Sequence, residues 1–170
     1  MDQDRNKAWG FALFCDDVRL EIGGKQSLMG LYQADMFFPA SAPLPILLPK
    51  VVIVINYYEV QGALKEDISF KITFGDNLIG EAPALRKDIE AAQAQAPIPT
   101  DASDEDKERI FSLRLPIPIS PFRIDQATRL RVRAHYSDGK ILKLGSIAIK
   151  QVPEVEFQQM LGIVPPKADG

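Results

Sequence analysis

Cysteine, histidine and tryptophan each occur once in this chain, as Cys15, His135 and Trp9. One cysteine allows no internal disulfide, which excludes a small disulfide-stapled extracellular module. One histidine excludes a metal centre built from several imidazoles, and any Ser-His-Asp arrangement would have to use His135. A dominant charge is missing as well. Lys and Arg number 20 against 23 Asp and Glu, a formal net charge of -3, too balanced for an electrostatic grip on nucleic acid or on an anionic membrane. Long apolar runs are absent too. The stretch from Pro45 to Ile55 is interrupted by Pro49 and Lys50 and falls short of the roughly 20 residues that a membrane span needs. The opening MDQDRNKAWG is polar and carries no basic segment ahead of an apolar one, so no secretory signal is expected and the predicted location is cytoplasmic. No Walker, GxGxxG, HExxH or EF-hand pattern occurs. The expectation is a non-enzymatic protein with no cofactor, no catalytic residues and no metal site.

What the chain does have is alternation. Its 170 residues, 46% hydrophobic and 25% charged, suffice for a self-supporting core in a single domain spanning 1–170. Val18, Leu20 and Ile22 alternate with Arg19 and Glu21 before Gly23-Gly24, which predicts a β-hairpin closed by a tight primed turn, with its return strand over Gln26 to Ala34. Pro39, Pro43, Pro45 and Pro49 then forbid continuous ladder pairing, so this segment should cross from one sheet to another. Val51 to Val60 is apolar on both parities at its start, as in a central strand covered on both sides. Ile68, Phe70, Ile72 and Phe74 form one face of a half-buried strand, and Leu78 to Leu85 a shorter partner.

Residues 86–109 read as an acidic excursion, helical over Asp88 to Ala96 and a loop between Pro97 and Glu108. Phe111, Leu113 and Leu115 make another strand that should end at Pro116 and Pro118. The last hairpin sets Leu130, Val132, Ala134 and Tyr136 against Arg129, Arg131, Arg133 and His135, turning at Ser137-Asp138-Gly139. Across it Leu142 and Leu144 keep one parity and Ile147 and Ile149 the other, which predicts a β-bulge near Gly145-Ser146. Glu154 to Leu161 should form a short helix, with a frayed tail over 162–170. The pattern predicts an all-β fold: an antiparallel two-sheet sandwich, immunoglobulin-like or C2-like, of about seven or eight strands with one or two short helices.

The segment ALFCDDVRLEIGGKQSLMGLY, the Phe38-Pro39 turn, the central strand and the closing LRVRAHYSDGKILKLGSIAI hairpin resemble an uncharacterised bacterial family of small β-sandwich proteins, a domain of unknown function. The resemblance covers most of residues 10 to 150 and implies a small sandwich with no assigned reaction. The excursion from Asp88 to Glu108 is longer than that family's pattern.

Among polar features, Arg129, Arg131, Arg133 and His135 are the most organised, because period-2 spacing puts all four on one face of one strand. They form the candidate binding face for an acidic partner surface or a phosphate-bearing ligand; the plainer reading is a solvated strand whose charges discourage aggregation. Cys15 lies in an apolar strand and reads as a small buried hydrophobe. Asp16 and Asp17 point to opposite faces and do not form a carboxylate pair. Asp76, Asp101, Asp104, Asp106 and Asp138 all fall in predicted loops, where a calcium site would need them to meet. Trp9 is thin support for a sugar platform and reads as packing. The expected function is a β-sandwich module making contacts with another protein, in part by strand addition at an exposed edge, with homo-oligomerisation open; the alternative is a calcium- or ligand-binding sandwich of C2-like or carbohydrate-binding type.

Overall fold

The computed structural model describes residues 8–33, 35–95 and 109–163. They form β1 (Ala8–Cys15), β2 (Asp17–Glu21), β3 (Lys25–Met29), β4 (Asp35–Pro39), β5 (Ile46–Leu48), β6 (Val51–Val60), β7 (Ile68–Phe74), β8 (Asn77–Ala84), α1 (Arg86–Gln95), β9 (Ile110–Ile119), β10 (Phe122–Ile124), β11 (Thr128–Tyr136), β12 (Ile141–Val152) and α2 (Glu154–Met160). The fold is all-β. The twelve described strands exceed the expected seven or eight: β1 and β4 stand as strands of their own, and the crossing segment and the stretch after β9 each contribute a three-residue strand, β5 and β10, that pair with each other. One pairing also departs from the antiparallel expectation: β4 runs parallel to β12.

Two sheets enclose the core, one ordered β1-β6-β9 and one ordered β4-β12-β11-β7-β8. Their inward residues meet: Val51, Ile53, Ile55 and Tyr57 of β6 join Phe70 and Ile72 of β7, Leu130, Val132 and Ala134 of β11, and Leu144, Ile147 and Ile149 of β12 in one buried cluster. Burying such side chains supplies the main driving force of folding, about 1.5–3 kcal/mol each. The proline-rich segment does carry the chain from one sheet to the other, since β4 belongs to the five-stranded sheet and β6 to the three-stranded one.

β6 is covered on both sides, as its composition predicts. Its odd residues face the main core, while Val52 and Val54 pack with Cys15 in a second cluster against Leu13, Val18 and Leu28. The β2–β3 hairpin provides that cover with its base only. Leu20 and Ile22 are 80% and 98% exposed, so the apolar face expected to be buried along the whole strand is half-buried at Val18 and exposed beyond it. Its turn also differs: Glu21 pairs with Lys25 across three residues, Ile22-Gly23-Gly24, with positive φ at both glycines.

The close approach of the two sheets near β1 depends on Gly10. A Cβ there would lie 2.5 Å from the Asn56 carbonyl oxygen and 2.8 Å from Leu144. β9 does not stop at its prolines but runs through Pro116 and Pro118 to Ile119. It is an edge strand, and residues without an N–H are tolerated where that N–H would point away from the sheet.

Helix α1 is fastened by a buried polar network. Glu59, fully buried on the core side of β6, accepts hydrogen bonds from Arg86 (2.6 and 3.3 Å), Gln93 (3.0 Å) and the Tyr57 hydroxyl (2.8 Å). Arg86 also donates to the Glu66 carbonyl from Nε and Nη2. Ile89 is the one buried apolar residue of this helix. The predicted helix at 88–96 therefore begins two residues earlier and is docked on the sheets, while the predicted loop between Pro97 and Glu108 falls outside the described residues. α2 matches its expected span within one residue; of the tail, only 162 and 163 are described.

Candidate functional site: a basic groove at the β-bulge

The outward face of β11 carries Arg129, Arg131, Arg133 and His135. Its pairing with β12 begins as Thr128 opposite Ile149 and shifts register between Val132 and Arg133, leaving Leu144 without a cross-strand partner. This bulge changes which β12 residues face outward. Before it, Arg131 stands opposite Ser146; beyond it, Arg133 stands opposite Lys143. In an unbroken ladder Lys143 would point to the core, because one residue of slip exchanges the two faces. The bulge therefore keeps Leu142, Leu144 and Ile147 inside while presenting both Lys143 and Ser146 outside.

The result is a groove of about 420 Å³ lined by Arg129, Arg131, Arg133, Lys143, Ser146 and the backbone around Val132 and Gly145. Arg131 is held in place by a 2.8 Å hydrogen bond from Nη1 to the Gly75 carbonyl oxygen, and Arg129 approaches the Ser146 hydroxyl at 3.5 Å. On the far side of Arg133, directly opposite on β7, stands Lys71. Three cations thus lie in a row across β7, β11 and β12. Like charges directly opposite on adjacent strands are destabilising.

Acidic partners are distributed unevenly. Lys71 lies 3.8 Å from Glu81, and Lys150 pairs with Asp35. Among the described residues neither Arg133 nor Lys143 has an acidic partner. His135 lies one step beyond the groove, opposite Ser69 and Ile141. Partial burial and the Lys71 and Arg133 charges hold its imidazole below the ordinary histidine pKa, against a smaller opposing pull from Glu81. Three of the four candidate residues therefore converge on the groove and His135 flanks it. Lys143 and Ser146 complete the site; the signal for them was the parity change at Gly145, which implies that Lys143 faces outward.

The other candidates resolve separately. Cys15 is fully buried, and burial, reinforced by Asp16 and Asp17, pushes its thiol pKa up. Asp16 accepts a 2.6 Å hydrogen bond from the Tyr32 hydroxyl and lies against Gly30, whereas Asp17 accepts from Lys50 at 2.6 Å and from the Val18 amide at 2.8 Å. The Lys50 contact, with the Val18 amide second, holds the Asp17 carboxyl below its usual range. A second hollow of about 370 Å³ beside them is lined by Asp16, Leu48, Pro49 and Lys50, but Asp16 is already engaged by Tyr32 and Lys50 by Asp17.

Asp76 follows the end of β7 that pairs with Leu130, while Asp138 follows the end of β11 that pairs with Ile68. These two loops lie at opposite ends of the sheet and do not meet. Asp101, Asp104 and Asp106 lie outside the described residues. Among the described residues no group of three or more His, Cys, Asp or Glu side chains is placed to hold a metal ion. Trp9 stacks on Tyr58 at 5.7 Å with planes 14° apart, and the Phe11 ring lies 6.5 Å from the same tyrosine. Tyr57, by contrast, is buried in the core. Among the described residues no helix is long and apolar enough to cross a membrane.

The fold and groove define an all-β protein with a localised basic site, uncompensated among the described residues, on the outer face of its larger sheet. Neither a protein-family model nor a curated protein matches the chain.

Proposed function

We propose that this chain is a non-enzymatic β-sandwich module, of immunoglobulin-like or C2-like type, that binds an acidic segment of another protein in the groove between β11 and β12. One observation carries this reading. Arg133 and Lys143 stand directly opposite each other with no acidic partner among the described residues, in a register that only the bulge produces. A solvated strand that merely resists aggregation needs charge, but it does not need two like charges brought face to face at a cost in stability. An acidic ligand turns that cost into attraction.

The test is binding of a fluorescently labelled Glu/Asp-rich peptide, followed by anisotropy at rising salt. The expected result is an affinity that weakens with ionic strength and is lost in the Arg133→Glu/Lys143→Glu double variant. Retained binding in that variant would refute the assignment. A companion measurement needs no ligand: Lys143→Ser removes the repulsion and should raise stability by about 0.2–1 kcal/mol, which is the behaviour of a residue retained for binding at the expense of stability.

A further inference from the structure

We propose that the group recognised in this groove is a phosphoryl group, presented by a phosphorylated segment of the partner protein. This rests on the reading of the groove as a protein-docking site and sharpens it from acidic to dianionic. A side-chain carboxylate brings one charge and two oxygens. A phosphate monoester brings a charge of about -1.5 to -2 and three strong acceptor oxygens. The groove is matched to the second. Arg133 and Lys143 supply two cations with no acidic partner among the described residues, on directly opposed positions of neighbouring strands, and Arg129 and Arg131 line the same groove, so a single carboxylate would leave more than one positive charge unanswered.

The remaining donors are arranged for an oxyanion with several acceptors. The Arg131 guanidinium is fixed by Gly75 through Nη1, which pre-orders it and leaves its other N–H groups to donate. Ser146, opposite Arg131, contributes a hydroxyl beside Arg129. Charge-assisted bonds to phosphate are roughly twice as strong as neutral ones, and arginine's planar fork suits them.

The surrounding charges also argue for a confined site. Lys71 and Lys150, the flanking cations on the same face, already have Glu81 and Asp35. The deficit of negative charge is therefore local to the bulge, where the sheet forms a groove. A sheet face that is simply basic would not neutralise its flanks and leave its centre open.

The experiment titrates the full chain, by isothermal calorimetry, with three versions of one otherwise neutral twelve-residue peptide carrying phosphoserine, glutamate or serine at its centre, and with inorganic phosphate. The proposal expects the phosphoserine peptide to bind about tenfold or more tightly than the glutamate peptide. That preference should vanish in Arg133→Gln/Lys143→Gln and persist in Lys71→Gln. The double variant removes a repulsion, so its thermal melt should be no lower than that of the parent, which separates lost binding from lost folding. Equal affinity for the phosphoserine and glutamate peptides would overturn the phosphoryl inference and leave the docking reading standing. No binding of either, with the Glu/Asp-rich peptide also silent, would remove both. Phosphoserine binding that survives in the double variant would place the site elsewhere and overturn the proposal. So would retention on anionic phospholipid vesicles with no response to the phosphopeptide.

Discussion

Replacing Arg86 by alanine tests how the helical excursion is held to the sheets. The guanidinium makes two hydrogen bonds to the fully buried Glu59 carboxylate and two to the Glu66 carbonyl. Truncation leaves Glu59 with only Tyr57 and Gln93 as donors, and the Arg86 side chain is itself only 10% exposed, so water does not readily replace what is lost. Breaking a buried ion pair from one side costs about 3–5 kcal/mol, because the remaining charge is stranded. For a chain of this size each kcal/mol lowers Tm by roughly 2–4 °C, giving an expected drop of about 6–20 °C. The measurement is thermal and urea unfolding followed by circular dichroism. Adding Glu59→Gln to Arg86→Ala should recover much of the loss, since a neutral amide at 59 strands no charge. A drop below about 1 kcal/mol for Arg86→Ala, or no recovery in the double variant, would refute the view that this network carries the docking of α1.

Three further outcomes follow from the packing and electrostatics. Gly10→Ala should destabilise by about 1–3 kcal/mol in urea unfolding, because its Cβ would meet the Asn56 backbone at 2.5 Å. Cys15 should resist a thiol reagent such as DTNB in the native protein and react stoichiometrically once unfolded, since burial both shields the thiol and raises its pKa. His135, the one histidine, gives an unambiguous imidazole proton resonance whose NMR titration should lie below the ordinary value near 6.5. The unfolded chain then binds the proton more readily, so this residue's contribution to stability falls as pH drops through the unfolded pKa. Saturating phosphoserine peptide should move the His135 titration upward by placing negative charge beside Arg133; an unmoved titration would contradict the groove's location.

Much of this architecture was legible in the chain because alternation is a local property. Val51 to Val60 announced a strand buried on both faces, and the four prolines before it announced a change of sheet. The parity change between Leu144 and Ile147 announced the bulge. What escaped reading involved partners distant in sequence. Pro116 and Pro118 read as the end of a strand, yet whether a proline is tolerated depends on whether the strand lies at an edge, which is decided by neighbours. Leu20 and Ile22 obey the hairpin pattern yet stay exposed, because none of the described elements packs over that end of the hairpin. Glu59 and Arg86, 27 residues apart, gave no joint signal, although Glu59 held an inward parity that no lone carboxylate could occupy unpaired.

The same division applies to the site. By itself the sequence determined that Arg129, Arg131, Arg133 and His135 share one face, because a strand repeats every two residues whatever it packs against. Only the tertiary structure decided that Lys143 and Ser146 would join three of them, that Glu81 and Asp35 would neutralise the flanking lysines, and that the centre would stay open. Those are facts of cross-strand register, and register is set by the bulge and by the buried faces it must reconcile.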